Sequence, residues 1–185
     1  NRLKLSHYDW SLANLQMIVI YFNSMNFCFW AEKGQPKWTI KVEGVNLDGS
    51  VALFRALEEE AKKNPTFLRP STAAHMEFNE FKEILKGNVD IPLIKERYQN
   101  LVNVAQVLSE KYDSSVENLI KSGDSNAELI LENIVKDFTS FSDSQYYNEK
   151  ELNFLKRAQL QVKMIDDQLK YYKKNGLSNM KRLTA

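Results

Sequence analysis

Residues Leu12 to Phe22 read LANLQMIVIYF, apolar on every side at helical spacing. A helix without a solvated face has to be wrapped by others, so this stretch demands a layered helical body around it. The wider apolar run from Leu15 to Trp30 is interrupted by Gln16, Asn23, Ser24 and Asn26, whereas a membrane span needs about 20 mostly apolar residues. It therefore reads as a buried helix. A chain of 185 residues is long enough to bury such a helix, and residues 1–185 are read as a single helical domain.

The remaining pattern fills in that body. Lys37 to Val42 (KWTIKV) alternates and is rich in β-branched and aromatic residues, a short strand; two or three strands at most fit in the chain. Asp48-Gly49-Ser50 supplies cap residues for a helix with Val51, Ala52, Phe54, Leu57 and Ala61 inward and Glu58, Glu59 and Glu60 on its wet side, ended by Asn64-Pro65. Thr72 to Leu85 reads as one amphipathic helix closed by Gly87. Pro92 suits the first turn of a longer helix through Tyr98, Leu101, Val104, Ala105 and Leu108. Ser114 or Ser115 caps a short helix to Ile120, and Ala127 to Phe138 is another. Thr139 to Tyr146 is Ser- and Asp-rich and reads as loop. Glu149 to Asn175 reads as a long helix with Leu152, Leu155, Leu160, Val162, Ile165, Leu169 and Tyr172 on its apolar side and Gly176 as its stop. The expected fold is a mainly α, multi-helix domain with at most a small β element near residues 37–42.

Composition and motifs exclude several function classes. Charged residues make up 26 % and leave a formal net charge of +1, so no global field calls for direct nucleic-acid binding. No membrane partner is expected either. One cysteine, Cys28, cannot form an internal disulfide, and its neighbours Phe27 and Phe29 suggest a buried thiol in a reducing, cytoplasmic setting. Asn1 to Trp10 holds no signal-peptide core. The phosphate loop, the dinucleotide-binding glycine pattern and HExxH do not occur. His7 and His75 are the two histidines, too few and too far apart for a zinc site. No metal and no cofactor are expected, and His75, beside Met76 and Phe78, reads as structural.

Three stretches carry candidate chemistry. Asn26-Phe27-Cys28-Phe29-Trp30 either closes the core or lines a pocket for a flat ligand, with Asn26 needing partners that a heteroaromatic ring can supply. Phe141-Ser142-Asp143 places an aromatic face two residues from a carboxylate. A guanine-type edge offers two adjacent N–H donors to a carboxylate, while a phenyl ring stacks on its face; the alternative is an ordinary Ser-Asp turn with Asp143 as a helix cap. In Lys156-Arg157-Ala158-Gln159 a basic pair is either a solvated face or an address for an anionic ligand, Lys156 and Gln159 sharing one side of a helix.

Taken in order, these pieces resemble the queuosine salvage family, the queuosine 5'-phosphate N-glycosylases. The similarity runs through Asn26-Phe27-Cys28-Phe29-Trp30, Lys37-Trp38-Thr39, Asp48-Gly49-Ser50 with Ala52-Leu53, and Ile91-Pro92-Leu93 with Glu96-Arg97. It ends in Phe141-Ser142-Asp143 and Lys156-Arg157-Ala158-Gln159. The resemblance implies a largely helical fold similar to helix-hairpin-helix DNA glycosylases and hydrolysis of queuosine 5'-phosphate to queuine and ribose 5-phosphate, the base being reused in tRNA modification. It implies queuine contacts from Phe141 and Asp143, with Asn26, Trp30, Lys156 and Gln159 lining or bracing the pocket and Asp143 the candidate catalytic residue. The partners implied are small molecules, the nucleotide and its base.

Family members continue beyond Leu183-Thr184 into a Phe-Ala-Asp-Tyr-type segment and contribute a pocket histidine from before this chain starts, a place that His7 does not fill. The chain is accordingly expected to be the central part of a longer family protein or a shortened relative, with catalytic carboxylates outside it. Two other functions fit the same residues: a non-catalytic helical base-binding or scaffold module, and a nucleosidase for another purine-like nucleoside.

Overall fold

The computed structural model describes residues 10–174; His7, Asn175, Gly176 and the Leu183-Thr184 position lie outside them. Helix α1 (Leu12–Met25) is buried along its length except at Ala13 and Asn14, and the Ser11 hydroxyl accepts from the Asn14 N–H to cap it. The anticipated enclosure is present. Helices α2 (Gly49–Lys63), α5 (Ile94–Lys111), α6 (Val116–Ser122) and α8 (Lys156–Lys174) all pack against α1. Between them run α3 (Pro70–Ala73), α4 (Phe78–Ile84) and α7 (Ala127–Asp137). Among the described residues no helix is long and apolar enough to cross a membrane.

Strand β1 (Thr39–Val42) lies where the alternation places it and pairs antiparallel with β2 (Val45–Asp48), Thr39 opposite Asp48. Glu43 and Gly44 both have positive φ, 50° and 82°, as a two-residue hairpin turn requires. The hairpin is clamped to the end of α4. The buried Trp38 donates from Nε1 to Leu85 O (3.0 Å), and Asn88 bonds Lys37 O, Thr39 N and Thr39 O.

Several expectations are corrected. The Thr72–Leu85 helix is two short helices: the break at Met76 frees a carbonyl that the Tyr98 hydroxyl of α5 occupies (2.8 Å), while Tyr98 packs against Phe78 and Phe81. Helix α5 begins two residues after Pro92, because Leu93 sits at a φ of 55°. Glu58, assigned to the wet side of α2, is fully buried, its charge met by Arg55 at 2.5 Å and Lys62 at 3.6 Å. Cys28, expected buried, is half-buried.

The largest correction lies near the C-terminal end. The loop at Thr139–Tyr146 and the start of the helix at Glu149 are replaced by a short 3-10 turn (Thr139–Phe141) and a second antiparallel hairpin. Its strands are β3 (Asp143–Tyr147) and β4 (Lys150–Phe154), Asp143 opposite Phe154. Four strands therefore occur among the described residues, where two or three at most were expected. Asn148 and Glu149 make the turn with φ of 46° and 61°, and Tyr146, Tyr147, Leu152 and Phe154 provide the β-prone residues. Helix α8 buries Ala158, Gln161, Ile165 and Gln168, whereas Leu160 and Leu169, expected inward, are exposed. It faces the polar end of α1, where Asn23 Nδ2 donates to Gln161 Oε1 at 2.7 Å, so amides take the inward places.

A Cβ on Gly87 would stand 2.4 Å from Thr39 O and 2.6 Å from Trp38 Nε1. Since the strand carbonyl cannot yield as a side chain does, Gly87→Ala is expected to destabilise the fold by about 1–3 kcal/mol, read as a lowered urea midpoint at unchanged slope. An unchanged midpoint would mean that the hairpin is not clamped there.

Candidate functional site

The last carbonyls of a helix lack intrahelical donors and carry the negative end of its dipole. At the end of α1, deep in the molecule, Asn23 O and Met25 O receive only the N–H groups of Asn26 (3.4 Å) and Phe27 (3.0 Å) from the turn that follows. Ser24 O takes its donors from side chains, and two guanidiniums meet all three carbonyls. Arg97, in the first turn of α5, is fully buried. It donates to Met25 O from Nη1, to Phe27 O (2.6 Å) and Cys28 O (2.7 Å) from Nη2, and to Pro92 O (2.9 Å) from Nε. Asn100, three residues on, donates to Ser24 O at 2.9 Å. The Arg97 guanidinium lies 4.5 Å from the Phe27 ring centre and 4.7 Å from that of Phe29, two cation–π contacts. Burial pulls Arg97 down to about 10, and the Arg157 charge adds to that direction against the opposing effects of Cys28 and Glu96. At neutral pH it remains a cation.

Arg157, at the start of α8, reaches the same helix end. Nη1 donates to Ser24 O (2.8 Å) and Asn23 O (3.4 Å), and Nη2 to Ser140 O (2.6 Å). Nε and Nη2 together grip Asp143, at 2.9 Å to Oδ2 and 2.6 Å to Oδ1. The register of the second hairpin explains the pair: it returns the chain so that Phe154 lies opposite Asp143, three residues before Arg157. Phe27 and Phe141 flank the Arg157 guanidinium, with ring centres at 5.1 and 5.8 Å.

The sequence candidates fall into three groups around this frame. Phe141 and Asp143 come together on Arg157, but in different environments. The Phe141 ring is fully buried against Phe138, edge to face at 6.3 Å, while the Asp143 side chain keeps 35 % of its exposure. Asn26 is the half-buried C-cap of α1. Trp30, Lys156 and Gln159 are exposed, Trp30 at 77 %. The two-donor edge anticipated for a ligand at Asp143 is occupied by Arg157, whose parallel N–H pair has the same geometry. Two open clefts of about 310 Å³ each, one beside Met17 and Arg69 and one beside Lys41 and Glu60, are not lined by any of these residues. Among the described residues no group of three or more His, Cys, Asp and Glu side chains could hold a metal ion.

Arg97, noted only within the Glu96-Arg97 pair, and Arg157, read as half of a basic pair on a solvated face or addressing an anion, have a structural role that the sequence reading did not assign. A signal existed for each. Arg97 continues the apolar row of Leu101, Val104, Ala105 and Leu108, and Arg157 stands one turn before Gln161 in the buried row of α8. An arginine on an inward row is a cation that the fold itself must satisfy.

Residues 7–185 match the family model described as queuosine salvage protein. The chain is similar to curated proteins named queuosine 5'-phosphate N-glycosylase/hydrolase. That of Sphaerobacter thermophilus is 29 % identical over 152 residues, 82 % of this chain and 45 % of the relative. That of Bos taurus is 29 % identical over 146 residues, 78 % and 43 % respectively. That of Nematostella vectensis is 25 % identical over 156 residues, 83 % and 45 %. The chain thus spans less than half the length of these relatives.

Replacing Arg97 by Leu takes the donor from the part-buried carbonyls of Phe27, Cys28 and Pro92 at once, Met25 O keeping the Phe27 N–H, at about 1–3 kcal/mol for each acceptor left without a donor. Arg97→Leu is expected to lose about 3 kcal/mol or more of stability in chemical denaturation. Arg97→Lys should recover only part, because an ammonium lacks the planar fork. A leucine variant as stable as the parent would show that the α1 terminus does not need this cap.

Proposed function

This chain belongs to the queuosine salvage protein family, and on that premise we propose that it carries the base-binding part of an N-glycosylase that hydrolyses queuosine 5'-phosphate and releases queuine. The observation that carries the reading is Asp143, a carboxylate braced from behind by Arg157 and still partly open to solvent. Such a group accepts N–H donors from the edge of a guanine-type ring. Phe141 serves the site from beneath, as a wall for the guanidinium that fixes the carboxylate. Trp30, with its ring exposed, offers an open aromatic face in the segment that follows α1. Asn26, Lys156 and Gln159 line the approach, Lys156 being the group suited to a 5'-phosphate.

The reaction proposed is displacement of the base at the ribose anomeric carbon by water. Its transition state carries oxocarbenium character, so a carboxylate near the sugar stabilises developing positive charge. Hydrogen bonds to the departing ring strengthen as it gains negative charge. With less than half of the relatives' length in this chain, the carboxylate nearest the sugar is assigned to the part of the family protein that the chain does not span. Kinship of the frame with helix-hairpin-helix DNA glycosylases belongs to the same reading, supported by the mainly helical architecture. So does a cytoplasmic setting, supported by the lone cysteine. One second reading is base binding without turnover, since a carboxylate that accepts a ring edge, as Asp143 would, does not by itself cleave the glycosidic bond.

Calorimetric titration with queuine separates the possibilities. The parent chain is expected to bind, and Asp143→Ala to weaken binding by roughly 1.5–3 kcal/mol, about tenfold or more; guanine serves as control for ring selectivity. Equal binding by parent and variant would remove Asp143 from the site. Lys156→Ala is expected to weaken binding of queuosine 5'-phosphate while leaving queuine unaffected; equal loss for both would place Lys156 away from the phosphate. Release of queuine from queuosine 5'-phosphate by the parent chain distinguishes a catalyst from a binding module.

A further inference from the structure

We infer that Arg157 is the positioning residue for Asp143 and stays bonded to it when the base binds, so that the base meets only the carboxylate lone pairs that the arginine leaves open. This rests on the reading of Asp143 as the base contact. Arg157 has no N–H to spare. Nε and Nη2 hold Asp143, Nη2 also serves Ser140 O, and Nη1 serves Asn23 O and Ser24 O. With its fork committed and its plane beside Phe27 and Phe141, it is not a phosphate ligand. Its displacement by a ring edge would leave its part-buried donors and the Ser140 carbonyl unmatched together, Ser24 O and Asn23 O keeping the donors of Asn100 and Asn26. Each carboxylate oxygen has a second lone pair, and those remain available on the exposed side of Asp143.

The opposite arrangement is a latch, in which the base edge replaces the arginine in the same two-donor geometry. The two differ in sign. A positioning arginine aids binding, and a latch competes with it.

Arg157→Lys keeps the charge and removes the fork. Queuine, 7-deazaguanine and 7-deazahypoxanthine, which lacks the exocyclic amine, are titrated into the parent, Arg157→Lys and Asp143→Ala chains. The expected result is a loss of about tenfold in queuine affinity for Arg157→Lys, as for Asp143→Ala, together with collapse of the preference for 7-deazaguanine over 7-deazahypoxanthine. A purely structural role would weaken both bases alike and leave that preference intact. Queuine binding by Arg157→Lys as tight as the parent's, or tighter, overturns the inference.

A measurement on the parent chain guards against a variant that fails to fold. The Arg157 Nε–H resonance should stay protected from solvent exchange in the queuine complex, and its exposure on binding overturns the inference independently. If the parent binds queuine and Asp143→Ala binds it equally well, the base-contact reading has failed. If Asp143→Ala loses binding while Arg157→Lys keeps it, only the positioning role has failed.

Discussion

The carbonyl end of α1 is the constraint on which the rest of the structure depends. A helix enclosed on all sides ends in acceptors that water does not reach, and the negative end of its dipole is buried with them. Two arginines from helices far apart in sequence resolve this together, Arg97 from α5 and Arg157 from α8, with Asn100 assisting. The remedy has its own cost, since each guanidinium must leave water. That cost is offset by carbonyls arranged around each fork, by the faces of Phe27, Phe29 and Phe141, and for Arg157 by the carboxylate of Asp143. Two like charges near one another explain why Arg157 contributes to holding Arg97 low.

The same network places the candidate site. Asp143 is the first residue of a hairpin whose strands are otherwise exposed on both faces, and a two-stranded hairpin alone is marginal. What anchors its base is the Arg157 fork, tied through Ser24 O and Ser140 O to α1 and to the turn before β3. A carboxylate held so firmly loses little freedom when a ligand arrives. The solvated side of that carboxylate and the exposed Tyr146, Tyr147, Leu152 and Phe154 belong to a chain that spans less than half of its relatives' length.

Local patterning by itself determined much of the frame. The all-round apolar run required a central helix, the Lys37–Val42 alternation marked β1, and Ser115 was legible as a helix cap. Each is a short-range preference that neighbouring residues do not overrule. Of the candidate site, residue chemistry alone left Asp143 as either an edge contact or a turn residue and Lys156-Arg157 as either a solvated face or an anion address; the order of several short motifs along the chain, through the family resemblance, singled them out.

Only the tertiary structure decided what those residues face. Phe141 is a core residue because Phe138 and Arg157 enclose it. Glu58 is buried because Arg55 and Lys62 arrive with it. The second hairpin forms where helical spacing of Leu152 and Leu155 pointed to a helix, and its register alone sets Asp143 beside Arg157. Burial of a charge is a collective outcome: it depends on acceptors delivered by other elements, which periodicity within one segment cannot report. A sequence says which helix needs an enclosure; which cations close its end depends on the elements that the packing brings there.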